Sequence, residues 1–140
     1  MEGLGVAANV IAVIDLSAQV ALLCFQYLTA VKDAKKDIER LQAEVSKIGD
    51  ILREVQRLLH GPDGARLSAS QQLCNSLKDC FLQLEKLEDQ LAPGKARKAM
   101  SRFGLRALRW PFKTKDVEKI VTSLERCKQT FMVAIQVDQT

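Results

Sequence analysis

Aromatic and imidazole side chains are scarce in this chain: its 140 residues hold one Trp, one Tyr, five Phe and a single His. With 5% aromatic against 47% hydrophobic residues, the core has to be built from aliphatic side chains. The lone His60 lies in the turn sequence HGPDG, where it suits a helix C-terminus. No Ser or Cys is set beside a base, no glycine-rich phosphate loop is present, and His, Asp and Glu do not cluster. The expectation is a non-enzyme with no cofactor, no bound metal and no small-molecule substrate. Cys24, Cys74, Cys80 and Cys127 form no C-x-x-C pair and have no neighbouring His, so they are expected as reduced core residues of an intracellular protein. The start MEGLG lacks the positive region of a secretory signal. No stretch alternates with period two over a useful length, which leaves sheets out.

What the chain does contain is helical periodicity. Val31, Ala34, Ile38, Leu41, Val45, Ile48, Leu52, Val55 and Leu59 step by three and four, as in a coiled-coil seam. HGPDG should stop that helix, with Gly61 in a left-handed C-cap and Pro62 unable to continue. Ser68 with Gln71 reads as a capping box opening a run through Leu73, Leu77, Cys80, Leu84, Leu87 and Leu91. Thr114 reads as the N-cap of a last helix through Val117, Ile120, Leu124, Cys127, Phe131 and Ala134. The fold class expected is all-α: an antiparallel four-helix bundle plus a short basic amphipathic helix, one domain over 1–140. The helices are placed at about 4–29, 31–60, 68–91, 96–109 and 114–137. The last one runs on without a stop signal, which suggests the N-terminal part of a longer protein.

The first helix is unusual in charge. Between Glu2 and Lys32 the only formal charge is Asp15, in AVIDLSAQVALLCF, and the segment is long enough to span a bilayer, which takes roughly 20 apolar residues. Yet Gly5, Ala8, Ala12, Asp15, Gln19, Leu22, Gln26, Thr29 and Asp33 form one narrow stripe of mainly small and polar residues. Val6, Val10, Ile11, Val13, Ile14, Val20, Leu23, Phe25 and Leu28 lie on the other faces. A bundle helix shows such a weakly polar face to water. A stripe this poor in Lys and Glu also suits a pore lining if several copies turn it inward. The two readings fit one helix in two states, core at rest and inserted after release.

Residues 95–115 carry eight Lys or Arg and no acid; the other 13 basic residues are outnumbered by 17 acidic ones, so the net charge of +4 comes from this stretch. Lys95, Lys98, Arg102, Arg106, Arg109 and Lys113 fall on one side of a helix, with Phe103 and Trp110 on another. Cationic side chains beside Trp and Phe suit the headgroup layer of an anionic membrane. The bland alternative has Phe103 and Trp110 plugging the end of the bundle. Phosphate-backbone binding ranks third, because no base-reading module is present and nucleic acid is not the expected partner.

MEGLGVAANVIAVIDLSAQVALLCFQY, DIERLQAEV, GPDGARLS and above all GKARKAMSRFGLRALRWPF resemble the N-terminal domain of fungal STAND (NLR-like) proteins, the HeLo-like helical cell-death domains. That resemblance covers essentially the whole chain. It implies a cytoplasmic effector joined to a downstream nucleotide-binding module, with a role in programmed cell death, heterokaryon incompatibility and fungal innate immunity. It also implies self-association on activation, movement to the plasma membrane, and membrane permeabilisation by the N-terminal helix. Carried onto this sequence, the inserting side chains are Leu4, Val6, Val10, Ile11, Ile14, Leu16, Val20, Leu23 and Phe25. The pore stripe is Ala12, Asp15, Gln19 and Gln26, and the anionic-lipid surface is Lys95, Lys98, Arg102, Arg106, Arg109, Lys113 and Trp110. The single internal acid departs from a ring-lined pore. The rival expectation is a helical adaptor that recruits a protein partner and never enters lipid.

Overall fold

The computed structural model describes residues 2–62, 64–91 and 109–139, with side chains for 5–62, 64–91 and 109–136. Among the described residues every regular element is a helix: α1 Glu2–Ala30, α2 Lys35–Leu59, α3 Gly64–Ser68, α4 Gln71–Leu91 and α5 Thr114–Gln139. The expected basic helix at 96–109 falls outside the described residues, except for Arg109, which is not helical.

α1 is rich in β-branched Val and Ile, which are indifferent helix formers alone, so its order comes from burial. Val6, Val10, Val13, Leu16, Val20, Leu23 and Tyr27 recur every three or four residues and are all buried. α2 contributes Ile38, Leu41, Val45, Ile48, Leu52 and Val55, α4 contributes Leu73, Leu77, Cys80, Leu84, Leu87 and Leu91, and α5 contributes Val117, Val121, Leu124, Cys127 and Phe131. These side chains form one continuous core. α1 packs along α2 and α4, and α5 packs along the same two helices, so the molecule is a helical bundle.

Helix ends depart from expectation for local hydrogen-bonding reasons. α1 closes with Val31 N–H donating to Tyr27 O at 2.8 Å, and α2 starts only at Lys35, so Val31 and Ala34 are half-buried turn residues rather than seam. Gly61 does not take the left-handed conformation. Its N–H instead reaches Leu58 O at 3.0 Å, closing α2 with a tight final turn. The glycine that this turn demands is Gly64, where a Cβ would lie 2.0 Å from Leu59 O. Ser68 ends α3 and caps nothing; the cap of α4 is Ser70, whose Oγ accepts from Leu73 N–H at 3.2 Å. Likewise Thr114 is the first residue inside α5. Lys113 holds the cap position: its carbonyl accepts from Val117 N–H, and its own N–H donates to Asp116 Oδ2 at 2.9 Å, half of a capping box.

Two polar features sit inside the apolar interfaces. Ser17, 2% exposed, donates from Oγ to Ile14 O at 2.8 Å, and it faces Gly49 of α2, where a Cβ would come within 2.9 Å of that Oγ. Glycine in a helix interior costs ~0.5–1 kcal/mol relative to alanine, and here the missing methyl lets α1 and α2 approach. Between α2 and α5, Glu44 and Lys128 form an ion pair at 3.1 Å with side chains only 8% and 12% exposed. The four cysteines are free. Burial pushes the Cys24 thiol up to about 12. Cys80 and Cys127 share a thiol hydrogen bond across α4 and α5, which together with burial raises the Cys80 pKa.

Candidate functional site

Among the described residues no group of three or more His, Cys, Asp or Glu stands where it could hold a metal ion. The groove between α4 and α5, of about 400 Å³, is lined by Gln83, Lys86, Phe112, Asp116, Lys119 and Ser123 among others. The features that stand out are surfaces rather than pockets.

The first is the outer face of α1. Gly5, Ala8, Asp15, Gln19 and Gln26 are exposed and Ala12 is half-buried, so the small and polar stripe does face solvent. It is broader and more apolar than expected, because Ile11 (46% exposed) and Phe25 (54%) face outward beside Leu22 (58%), the one large apolar residue the stripe already held. Ile11, Asp15, Ala18, Leu22, Phe25 and Thr29 step by four and three along this face, with Asp15 as its only charge. Of the side chains assigned to insertion, Val6, Val10, Leu16, Val20 and Leu23 are core, Ile14 is half-buried, Ile11 and Phe25 are open, and Leu4 lies outside the described side chains. α1 is thus apolar on the face it buries and on much of the face it shows. Large apolar side chains gathered on one exposed helix face are candidates for contact with another surface.

The second is one end of the bundle, where α1 and α4 finish and α2 and α5 begin. Thr114 Oγ1 donates to Asp37 Oδ2 at 2.8 Å, and Arg40 lies 3.9 Å from Glu118, tying the starts of α5 and α2 together. Tyr27 Oη donates to Leu91 O at 2.7 Å. The Tyr27 ring meets Trp110 edge-to-face with centroids 5.3 Å apart, and Trp110 meets Phe112 in the same way at 5.2 Å. Trp110 is half-buried and packs against the core at this end, while Phe103, expected beside it in the same plug, lies outside the described residues. Arg109 and Lys113 are exposed; Lys95, Lys98, Arg102 and Arg106 lie outside the described residues. Sequence reasoning missed Lys32, Lys35 and Lys36, which are exposed around the same end as Lys115. The signal was the KDAKK turn between α1 and α2, which only the fold brings beside residue 113. Asp37 and Asp116 sit among these cations and are engaged by Thr114 and the Lys113 N–H.

Fold and surfaces together define a helical-bundle domain whose first helix, over Gly5–Ala30, is long and apolar enough to cross a membrane by length and composition, a test that a core helix also passes. The sequence pattern of one family matches residues 1–138. The chain belongs to that family, described as the N-terminal domain of the pigment biosynthesis cluster protein PigL. No curated protein and no solved structure matches it.

Proposed function

We propose that this domain is an antiparallel four-helix bundle acting as a membrane-targeted, self-associating cell-death effector, as the resemblance to HeLo-like domains of fungal STAND proteins implies. The supporting observation is the double apolarity of α1: its inner face closes the core while Ile11, Leu22 and Phe25 stay open on its outer face. In this reading the protein is cytoplasmic at rest, reaches the plasma membrane with its basic end toward anionic lipid, and releases α1 when a downstream nucleotide-binding module clusters it.

Energetics require the clustering. Val6, Val10, Val13, Leu16, Val20 and Leu23 are buried, and at ~1.5–3 kcal/mol each their burial is worth ~9–18 kcal/mol as an upper estimate. In lipid those side chains are buried again, so the uncompensated loss is the apolar surface of α2 and α4 that α1 had covered. Neighbouring copies that cover it supply the differential affinity a switch requires.

The test is dye release from vesicles with and without phosphatidylserine, using the domain alone and the domain clustered through an appended trimeric coiled coil. Ile11→Lys, Leu22→Lys and Phe25→Lys place charge on the open face without touching the core. Clustered wild type should leak anionic vesicles, and the triple variant, folded by circular dichroism, should not. Equal leakage by both rejects insertion of α1. No leakage from any clustered form favours the adaptor, for which Lys47→Glu on the exposed side of α2 should abolish partner binding.

A further inference from the structure

Tyr27 is the chain's only tyrosine and Trp110 its only tryptophan, and the two are in contact. Tyr27 lies near the end of α1 and is 3% exposed. Its hydroxyl holds Leu91 O, the carbonyl of the last residue of α4, and its ring holds Trp110. Between Leu91 and Trp110 in the sequence lie Lys95, Arg97, Lys98, Arg102, Arg106 and Arg109 and no acid. Both ends of the most basic stretch are therefore fastened to a single residue of the helix proposed to leave the bundle.

The fastening is incomplete in one respect. Trp110 Nε1 is buried, and among the described residues it has no hydrogen-bond partner. A buried indole ordinarily finds one, and leaving it unmade disfavours the packed state. At the headgroup layer of a membrane the same indole keeps its ring in an apolar setting and donates to water or phosphate. Arg109 and Lys113, exposed on either side of Trp110 and Phe112, draw this segment toward an anionic surface.

We propose that Tyr27 is a latch coupling anionic-lipid contact to the release of α1: lipid contact withdraws Trp110 from Tyr27, and the loss of that contact and of the Leu91 bond frees the last turns of the helix. The proposal rests on the membrane reading above and adds its trigger. Coupling between two events is reciprocal, so weakening the latch must also tighten lipid binding.

The experiment uses Trp110 as its own reporter. Wild type and Tyr27→Phe are mixed with vesicles of phosphatidylcholine, with and without phosphatidylserine, in versions carrying brominated acyl chains. Binding is read by co-sedimentation, Trp110 by bromine quenching, and the end of α1 by amide hydrogen exchange. Phosphatidylserine vesicles should quench Trp110 and speed exchange over residues 24–31 of the bound wild type. Tyr27→Phe keeps the ring and loses the neutral hydrogen bond to Leu91 O, so it should bind those vesicles about fivefold more tightly. Sedimentation with Trp110 unquenched, or an unchanged affinity for Tyr27→Phe, overturns the latch and leaves membrane binding intact. A lack of sedimentation with every vesicle rejects both. Folding of the variant is checked by its thermal melt, and Gly64→Ala, which destabilises the domain away from Tyr27, is the control: equal tightening of lipid binding by that variant shows a purely structural role for Tyr27 and overturns the latch.

Discussion

Gly49→Ala should destabilise this protein, and Ser17→Ala should reverse the sign. On an unobstructed helix the change from glycine to alanine stabilises by ~0.5–1 kcal/mol. At Gly49 the new Cβ would sit 2.9 Å from Ser17 Oγ, closer than such atoms come, while Ser17 Cβ and Arg53 Nη1 are at ordinary distances of 4.0 and 3.7 Å. To make room the hydroxyl must leave Ile14 O, and being almost fully buried it then lacks a partner, at ~1–3 kcal/mol. Subtracting the propensity gain leaves Gly49→Ala destabilising by ~1 kcal/mol in the wild type. In the Ser17→Ala background the obstruction is gone and the same change should stabilise by ~0.5–1 kcal/mol. The coupling energy is then ~1.5–2 kcal/mol, well above the few tenths seen for independent sites. Urea denaturation of the four proteins of the cycle, followed by circular dichroism, measures it. Gly49→Ala stabilising both backgrounds equally would show that α1 and α2 do not meet through this serine.

Three further outcomes follow from the packing. Lys128→Ala should cost ~3–5 kcal/mol by leaving the Glu44 carboxylate buried without its partner, whereas Glu44→Leu with Lys128→Met should come within about 1 kcal/mol of wild type or exceed it; denaturation midpoints distinguish the two. The Cys24 thiol, raised to about 12, keeps its proton in the folded state when the unfolded chain has lost it. Its stabilisation is complete below the unfolded value near 9 and falls as pH rises from there toward 12, at up to ~1.4 kcal/mol per pH unit. Cys24→Ala, less stable at neutral pH, should flatten that decline in melts taken across the range, and an unchanged slope would remove the thiol from the account. Gly64→Ala forces a Cβ to within 2.0 Å of the Leu59 carbonyl and should cost more than ~1 kcal/mol, and more than Gly61→Ala, whose nearest atom is at 3.3 Å; thermal melts rank the pair.

The sequence by itself determined the four long helices and most of the core, though not the short α3. Ile38 to Val55 and Leu73 to Leu91 keep an apolar period that only a helix can lay on one face, and those residues are the buried ones; in α5 Val121 is buried where Ile120 was expected, and Ile120 and Ala134 are half-buried. It determined much less about α1, because apolar residues surround that helix. Nothing local says that Val6 and Val10 turn inward while Ile11 and Phe25 turn out; the positions of α2 and α4 decide it. Caps were misplaced by one to two residues, since Ser68 and Ser70, or Lys113 and Thr114, compete on nearly equal local terms and the geometry of each turn selects one. The remaining features are contacts between residues far apart in the chain. Glu44 meets Lys128, Ser17 meets Gly49, Tyr27 gathers Leu91 and Trp110, and Lys32, Lys35 and Lys36 join Lys113 at one end. Local periodicity determines which side of a helix is apolar, but the energy of a long-range pair exists only once the chain has closed on itself, and so only the tertiary structure could decide it.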